Sequence, residues 1–176
     1  YPLQAPRPLW AEQNPEDWWR AGAAAIRDVL QQSGVRGEEV AAVGLTGHMF
    51  GLVGLDAAGT PVRPCIMWND QRAGGECEDI TRSVGLSNLI DLTANCMLPG
   101  YVAPKLLWLR RHEPDAYARI AHLVFAKDYI RYRLTGELAT DVSDAAGMAL
   151  FDAAQRKWSA QLLRKLDIPA EWLPPA

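Results

Sequence analysis

The segment Gly47-His48-Met49-Phe50-Gly51 combines residues that can hold a small polar molecule. Its two glycines let the backbone turn tightly and approach a ligand closely. His48 offers a ring nitrogen to a hydroxyl group, and Met49 and Phe50 offer an apolar wall to the C–H groups of a sugar. The alternative, which the spacing alone favours, is a hydrogen-bonded turn histidine followed by two core side chains.

A second candidate is the segment Trp68-Asn69-Asp70-Gln71-Arg72, which follows an apolar strand pattern and precedes a helical one. Asp70 can accept hydrogen bonds from vicinal hydroxyls, and the guanidinium of Arg72 can donate to them in a fork. Alternatively, Asn69 or Asp70 caps the following helix while Arg72 pairs with Asp70 or Glu76 on the surface. The local chemistry supports both interpretations equally.

Other polar residues are weaker candidates for catalysis. Asp141 and Asp144 lie in a segment of small residues, where an aspartate is more often a loop or cap residue than a general base. No histidine follows them to complete a triad. His112 and His122 have no second ligand four residues away, so the sequence predicts no metal site.

Composition limits the classes of partner. The 176 residues, 49% of them hydrophobic and 22% charged, suffice for one globular domain with a sizeable core. A formal net charge of −3, without a basic stripe, argues against nucleic acid and anionic membranes as partners. The three cysteines show no disulfide or zinc spacing, which fits a reducing cytoplasm. The apolar run from Val40 to Leu55 contains too many glycines to span a bilayer comfortably.

The elements that would position these residues alternate between helix and strand. Asn14 as N-cap and Pro15 at the first helical position predict a helix that ends near Gly34. The β-branched run from Val40 to Thr46 lacks alternation, which predicts a central strand covered on both faces, with the helix from Pro15 packed across it.

Further strands and helices follow along the chain. A turn at residues 56–60 separates strands at Leu52–Leu55 and Val62–Met67, and two short strands are expected at His122–Phe125 and Ala149–Phe151. Helical patterns cover roughly residues 71–83, 104–112, 114–121, 127–135 and 159–166, with Gly85 and Gly136 as stops. Together these patterns predict an α/β fold.

Taken together and in this order, the motifs resemble those of the FGGY carbohydrate kinases, most closely the members that act on xylulose. The sugar-contacting Gly-Gln-Met-His-Gly turn of that family corresponds here to Gly47–Gly51. Trp68–Arg72 is similar to the family's W-N-D-x-R, and Gly100–Trp108 to its G-F-T-A-P-K-L-L-W. The likeness continues through Leu9–Pro15, Lys127–Arg131, Leu134–Glu137 and Ser143–Gly147.

The resemblance implies that residues 1–176 are part of an N-terminal, sugar-binding domain with an actin-like, ribonuclease-H-like ATPase fold: a mixed sheet with flanking helices. It also implies one cleft that binds the sugar, surrounded by His48, Met49, Phe50, Asp70, Arg72 and Gly100. Two of these positions depart from the family pattern, because Phe50 replaces the histidine after the methionine and His48 replaces the glutamine before it. Val102 also stands where the family prefers a hydroxyl or proline.

Other parts of such an enzyme have no counterpart in the sequence. The Asp-x-Gly-Thr phosphate loop, the catalytic Asp and the C-terminal domain are missing. The sequence begins at Tyr1, with neither an initiator methionine nor the pattern of a signal peptide. We therefore expect a piece of a longer cytoplasmic protein, without catalytic residues of its own. ATP and Mg²⁺ would serve the full-length enzyme, and neither is expected to bind this chain.

The implied reaction is the ATP-dependent phosphorylation of a ketopentose, with D-xylulose as first choice. The alternatives are a kinase for L-ribulose, L-fuculose or erythritol, and a sugar-binding module without catalysis. The family's first β-hairpin is also missing, so we expect an exposed sheet edge and a homodimer formed through it.

Overall fold

The computed structural model describes residues 1–176, in which eight helices and six short strands form an α/β fold, as the sequence predicts. The helices are α1 (Pro15–Ser33), α2 (Gly74–Val84), α3 (Leu86–Thr93), α4 (Val102–His112), α5 (Pro114–Ala118), α6 (Ala126–Thr135), α7 (Val142–Ala146) and α8 (Ala160–Leu166). The strands are β1 (Glu12–Gln13), β2 (Val53–Leu55), β3 (Cys65–Ile66), β4 (His122–Val124), β5 (Phe151–Asp152) and β6 (Lys157–Trp158). Single 3₁₀ turns occupy Gly37–Glu39 and Ala170–Trp172.

Helix α1 begins and ends where the sequence predicts. The side chain of Asn14 accepts a hydrogen bond from the backbone N–H of Glu16, and Pro15 occupies the first turn. Gly34 ends the helix with φ of 70°, a left-handed conformation that glycine adopts without steric cost. These contacts are local, so the short-range pattern was sufficient to locate both ends.

The strands form three two-stranded sheets, each of them antiparallel. β1 pairs with β3, β2 with β4, and β5 with β6, and a bridge between Leu52 and Ile66 connects the first two sheets. The predicted turn between β2 and β3 is confirmed, because the Asp56 side chain accepts hydrogen bonds from the N–H groups of Ala58 and Thr60. The mixed sheet implied by the family resemblance is not seen among these strands.

The prediction of a central strand at Val40–Thr46 is wrong for this chain. Residues 40–46 lie outside every sheet and are exposed, with Val43 59% exposed. A strand is stable only when a neighbour satisfies its backbone groups, and none of the six strands lies beside this segment. Helix α1 consequently does not pack across Val40–Thr46; it contacts α6, and its Trp18 packs in one cluster with residues of β2 and β4.

The remaining helices agree with the sequence except at particular ends. Helix α2 begins at Gly74 rather than Gln71, and the predicted stops at Gly85 and Gly136 are confirmed. Helices α3 and α7 were not predicted. Both are short, and α3 starts directly after Gly85 without a capping side chain, so the usual start signal is missing.

Two hydrophobic clusters form the interior. The larger cluster surrounds α4 and joins it to α2, α3 and α8, while the smaller lies between Trp18 of α1, strands β2 and β4, and Tyr129 of α6. No helix combines the length and the apolar character that a membrane crossing requires.

Candidate functional site

The turn at residues 47–51 is packed so closely that its last glycine cannot be replaced. A Cβ atom on Gly51 would lie 2.6 Å from Cε1 of His48 and 2.9 Å from the Sγ atom of Cys65. A Cβ on Gly47 would lie 3.3 Å from the backbone N of Lys127 at the start of α6. The backbone of the turn therefore lies close against other parts of the protein, with the ring of His48 packed against Gly51.

His48 has an unused polar atom. Its ring packs edge-on against Trp18, with 5.1 Å between ring centroids. Its Nδ1 lies 3.5 Å from the carbonyl oxygen of Met49, and its Nε2 is buried without a hydrogen-bond partner. Burial lowers the pKa of His48 below its usual value, with a smaller opposing effect from the Met49 carbonyl. A neutral imidazole with a free nitrogen can exchange a hydrogen bond with a hydroxyl group.

The side chain of Phe50 packs against different residues from that of His48. Its φ of 63° is left-handed, an uncommon conformation for a residue with a side chain. The ring packs edge-on against Tyr101, with centroids 5.1 Å apart, and covers the place where a Cβ on Gly147 would lie. Met49, between His48 and Phe50, is 38% exposed. The contact of Met49 and Phe50 with a sugar therefore stays a prediction.

Gly100 lies against the second motif. A Cβ at this position would lie 2.7 Å from the carbonyl oxygen of Trp68, so only glycine allows the two backbones to approach this closely. The indole of Trp68 is 53% exposed. The exposed ring of Trp68 is therefore available for contact with another molecule.

Asp70 and Arg72 form a buried pair rather than a surface pair. Both carboxylate oxygens of Asp70 are engaged: Oδ1 accepts from Nε of Arg72 at 2.9 Å, and Oδ2 accepts from its Nη2 at 2.7 Å. The N–H of Ala11 also donates to Oδ2, at 2.6 Å. Neither side chain of the pair is exposed. Their direct contact with a sugar stays a prediction.

A network of aromatic and charged side chains surrounds this pair. The guanidinium of Arg72 lies 3.7 Å from the ring centroid of Trp10 and 4.9 Å from that of Trp108. Its Nη1 lies 2.7 Å from Oε1 of Glu12, which also accepts a hydrogen bond from Arg63 at 2.6 Å. The network fixes the Trp68–Arg72 turn to β1 and α4.

Lys105 connects the two candidate turns. It is fully buried in α4, and its Nζ donates to the carbonyl oxygens of Phe50 at 2.7 Å and of Gly100 at 2.6 Å. Burial lowers its pKa to about 8. Lys105 lies within the Gly100–Trp108 motif but is not among the predicted site residues, although a lysine inside a helix of apolar residues is itself a signal.

A separate cluster of charges surrounds Lys127. Its Nζ lies 2.5 Å from Asp128, 2.8 Å from Asp141 and 2.9 Å from Asp144. Burial opposes the charge, but the three carboxylates raise the pKa of Lys127 above its usual value. Burial raises the pKa of Asp144, whereas Lys127 lowers that of the more exposed Asp141. Asp141 also caps α7, in agreement with the cap interpretation.

No group of side chains is arranged to hold a metal ion. The carboxylates nearest to one another already converge on the Lys127 ammonium. His112 stacks on Trp108, with centroids 4.8 Å apart, and His122 lies in β4.

The structure thus brings several predicted site residues together. Lys105 joins Phe50 to Gly100, and Gly100 lies against Trp68, two residues before Asp70. His48 lies on the same turn as Phe50 but faces Trp18. The sequence did not single out Trp68 or Lys105 for a role of their own. The exposure of Trp68 becomes visible only with the tertiary contacts, whereas Lys105 has a sequence signal in its apolar helical neighbours.

The family model described as the FGGY family of carbohydrate kinases, N-terminal domain, matches residues 1–176. The chain is 43% identical over 172 residues to the xylulose kinase of Escherichia coli, covering 98% of this chain and 35% of that protein. The crystal structure of a xyloylose kinase from Brucella ovis superimposes with a TM-score of 0.93 at 37% identity, covering 99% of this chain and 35% of that one. A gluconate kinase from Lactobacillus acidophilus gives a TM-score of 0.91 at 29% identity, with the same coverage.

The chain therefore spans about a third of the length of these relatives. The agreement nevertheless extends over nearly all 176 residues, and it includes the two turns that Lys105 joins. On this basis the chain belongs to the FGGY family of carbohydrate kinases and matches its N-terminal domain.

Proposed function

We propose that the protein carrying this chain phosphorylates a ketopentose at the expense of ATP, with D-xylulose converted to D-xylulose 5-phosphate. The observation that carries the proposal is the 43% identity to a xylulose kinase over nearly the whole chain. Residues 1–176 would supply the sugar-binding portion of the N-terminal domain. The phosphate loop, the catalytic Asp and the C-terminal domain would be supplied by other parts of the protein.

The sugar would lie between the two turns that Lys105 joins. His48 would exchange a hydrogen bond with a hydroxyl through its free Nε2, and Met49, Phe50 and Gly100 would form the apolar and backbone walls. Asp70 and Arg72 remain predicted sugar contacts. Their polar atoms are already engaged with each other, so a hydroxyl would have to share them.

ATP and Mg²⁺ would provide the phosphoryl group and the charge neutralisation that such transfers need. The residues of this chain do not fit a magnesium site, because the clustered carboxylates surround Lys127. The contribution of the chain would be to bind and orient the sugar, which lowers the barrier by fixing the reacting hydroxyl. The three cysteines are free thiols, which supports a cytoplasmic location.

The test is a substrate panel with the complete gene product. ADP formation should be fastest, in kcat/KM, with D-xylulose and slower with L-ribulose, L-fuculose, erythritol and D-gluconate. A preference for one of the other sugars would change the proposed substrate and leave the proposed reaction class unchanged. Sugar binding without any ADP formation would show a sugar-binding module instead of a kinase.

A further inference from the structure

Lys105 is unusual because it is a buried cation without an acidic partner. Its side chain is inaccessible to solvent and makes no ion pair. The nearby carboxylate of Asp70 is occupied by Arg72 and by the Ala11 N–H. Burying an amine in this way is costly unless its hydrogen bonds are satisfied. The two that it makes both go to backbone carbonyls, those of Phe50 and Gly100.

Both acceptors belong to backbone that adopts a demanding geometry. Phe50 has a left-handed φ of 63°, and Gly100 lies so close to Trp68 that a Cβ would approach its carbonyl oxygen to 2.7 Å. A left-handed φ at a residue with a side chain, as at Phe50, persists only where the surrounding contacts determine it. One ammonium group holds both acceptors, and these lie 55 and 5 residues from Lys105 in the sequence.

We propose that Lys105 is a positioning residue for sugar binding, which sets the separation of the Gly47–Gly51 turn from the Gly100 turn. The inference rests on the proposed function, because these turns carry the predicted sugar contacts His48, Met49, Phe50 and Gly100. A purely structural role would affect the stability of the fold and leave the recognition of the sugar unchanged.

Arg110 provides a matched control on the same helix. Its Nη1 donates to the carbonyl oxygens of Leu166 at 3.0 Å and Asp167 at 3.2 Å, away from both turns. Arg110→Met and Lys105→Met therefore each remove one cation that holds two carbonyls. Only the second removal should disturb the sugar site.

The experiment compares these variants in the complete gene product. For Lys105→Met we expect the KM for D-xylulose to rise 10- to 100-fold while the KM for ATP stays within twofold, because a small misplacement of the binding groups is sufficient for a loss of this size. Arg110→Met should leave both values within twofold. Lys105→Arg, which keeps a donor, should recover part of the loss. Equal effects of Lys105→Met and Arg110→Met on the sugar KM would overturn the proposal.

Amide hydrogen exchange gives a second test that does not depend on the folding of a variant. In the wild-type protein, D-xylulose should slow exchange in both turns together, at residues 48–51 and 100–101. Slowing in only one turn would overturn the proposal. If no sugar binds or reacts, the proposed function fails. Amide exchange measured without sugar still tests the role of Lys105. Lys105→Met must speed exchange in both turns, and Arg110→Met must speed it in neither.

Discussion

At the scale of single residues, His48 and Phe50 share one turn but serve different surroundings. His48 packs against Trp18 and keeps Nε2 without a partner, while Phe50 packs against Tyr101 and above Gly147. If the protein carrying this chain acts on D-xylulose, we predict that His48 makes the hydroxyl contact that the family pattern implies for a histidine at position 50. This exchange of positions makes the turn testable by paired substitutions.

We predict that His48→Ala in the complete gene product raises the KM for D-xylulose. The kcat/KM should fall about tenfold to a hundredfold, as expected for one lost hydrogen bond worth about 1.4 to 3 kcal/mol. Phe50→His should be neutral or improve the use of D-xylulose. The opposite result would be that Phe50→His abolishes activity on the native sugar while His48→Ala leaves it unchanged. It would indicate an apolar pocket and a less hydroxylated ketose as the substrate.

Lys105 also predicts a dependence of stability on pH. Its pKa is about 8 in the folded chain against 10.5 for the unperturbed group. Between these values the unfolded chain binds the proton and the folded chain does not, so the Lys105 contribution to the free energy of unfolding rises with pH. This contribution is fully present above about pH 10.5 and is lost as the pH falls through 8. The free energy of unfolding changes by about 3 kcal/mol over this range.

Denaturant unfolding of wild type and Lys105→Met across this range isolates the effect. The difference in unfolding free energy, wild type minus variant, should increase from pH 8 to pH 10.5. A difference that stays constant over this range would mean that Lys105 keeps its ordinary pKa.

At the scale of elements, the buried charges act as a connection between β1, the Trp68–Arg72 turn and α4. Glu12 of β1 contacts Arg72, and the Arg72 guanidinium lies over Trp108 of α4. Two-residue strands contribute few backbone hydrogen bonds, so the side-chain network must hold β1 in place.

We predict that Asp70→Asn destabilises the chain by about 3 to 5 kcal/mol, because Arg72 loses the buried carboxylate that balances its charge. The measurement is the free energy of unfolding in urea. Glu38→Gln is the control, since its ion pair with Arg36 is exposed, and surface changes of this kind stay within about 0.5 kcal/mol. Similar losses in both variants would show that the Asp70 pair contributes no more than a surface pair.

At the scale of the whole molecule, the segment Val40–Thr46 leaves apolar surface unprotected. Val43 is 59% and Leu45 38% exposed, and an open cavity of about 360 Å³ separates Leu45 from Trp18 and Ile130. An apolar segment with free backbone groups invites pairing with another chain.

We predict that the 176-residue chain self-associates through this segment as its concentration rises. Light scattering should show dimers for wild type and monomers for Val43→Lys. Val29→Lys is the matched control, because Val29 is 63% exposed on α1, outside the segment, and this variant should still dimerise. A wild-type chain that stays monomeric at all concentrations would contradict the prediction.

The sequence by itself determined the elements whose signals are local. Asn14 and Gly34 located both ends of α1, Gly136 located the end of α6, and Asp56 located the turn between β2 and β3. Each signal depends on hydrogen bonds within about four residues, so the pattern of neighbouring side chains contains the necessary information. The family motifs likewise predicted as sugar-binding the two turns that Lys105 joins.

The tertiary structure decided the features that depend on distant partners. Val40–Thr46 has the composition of a strand, yet composition cannot supply the neighbouring strand that its backbone groups require. From the sequence, Asp70 and Arg72 could equally well form a surface pair, and it is tertiary contacts, among them those of Arg72 with Trp10 and Trp108, that place the pair in the interior. Lys105 acquires its role from a carbonyl 55 residues away. In each case the deciding energy comes from contacts across the fold, which no short stretch of sequence contains.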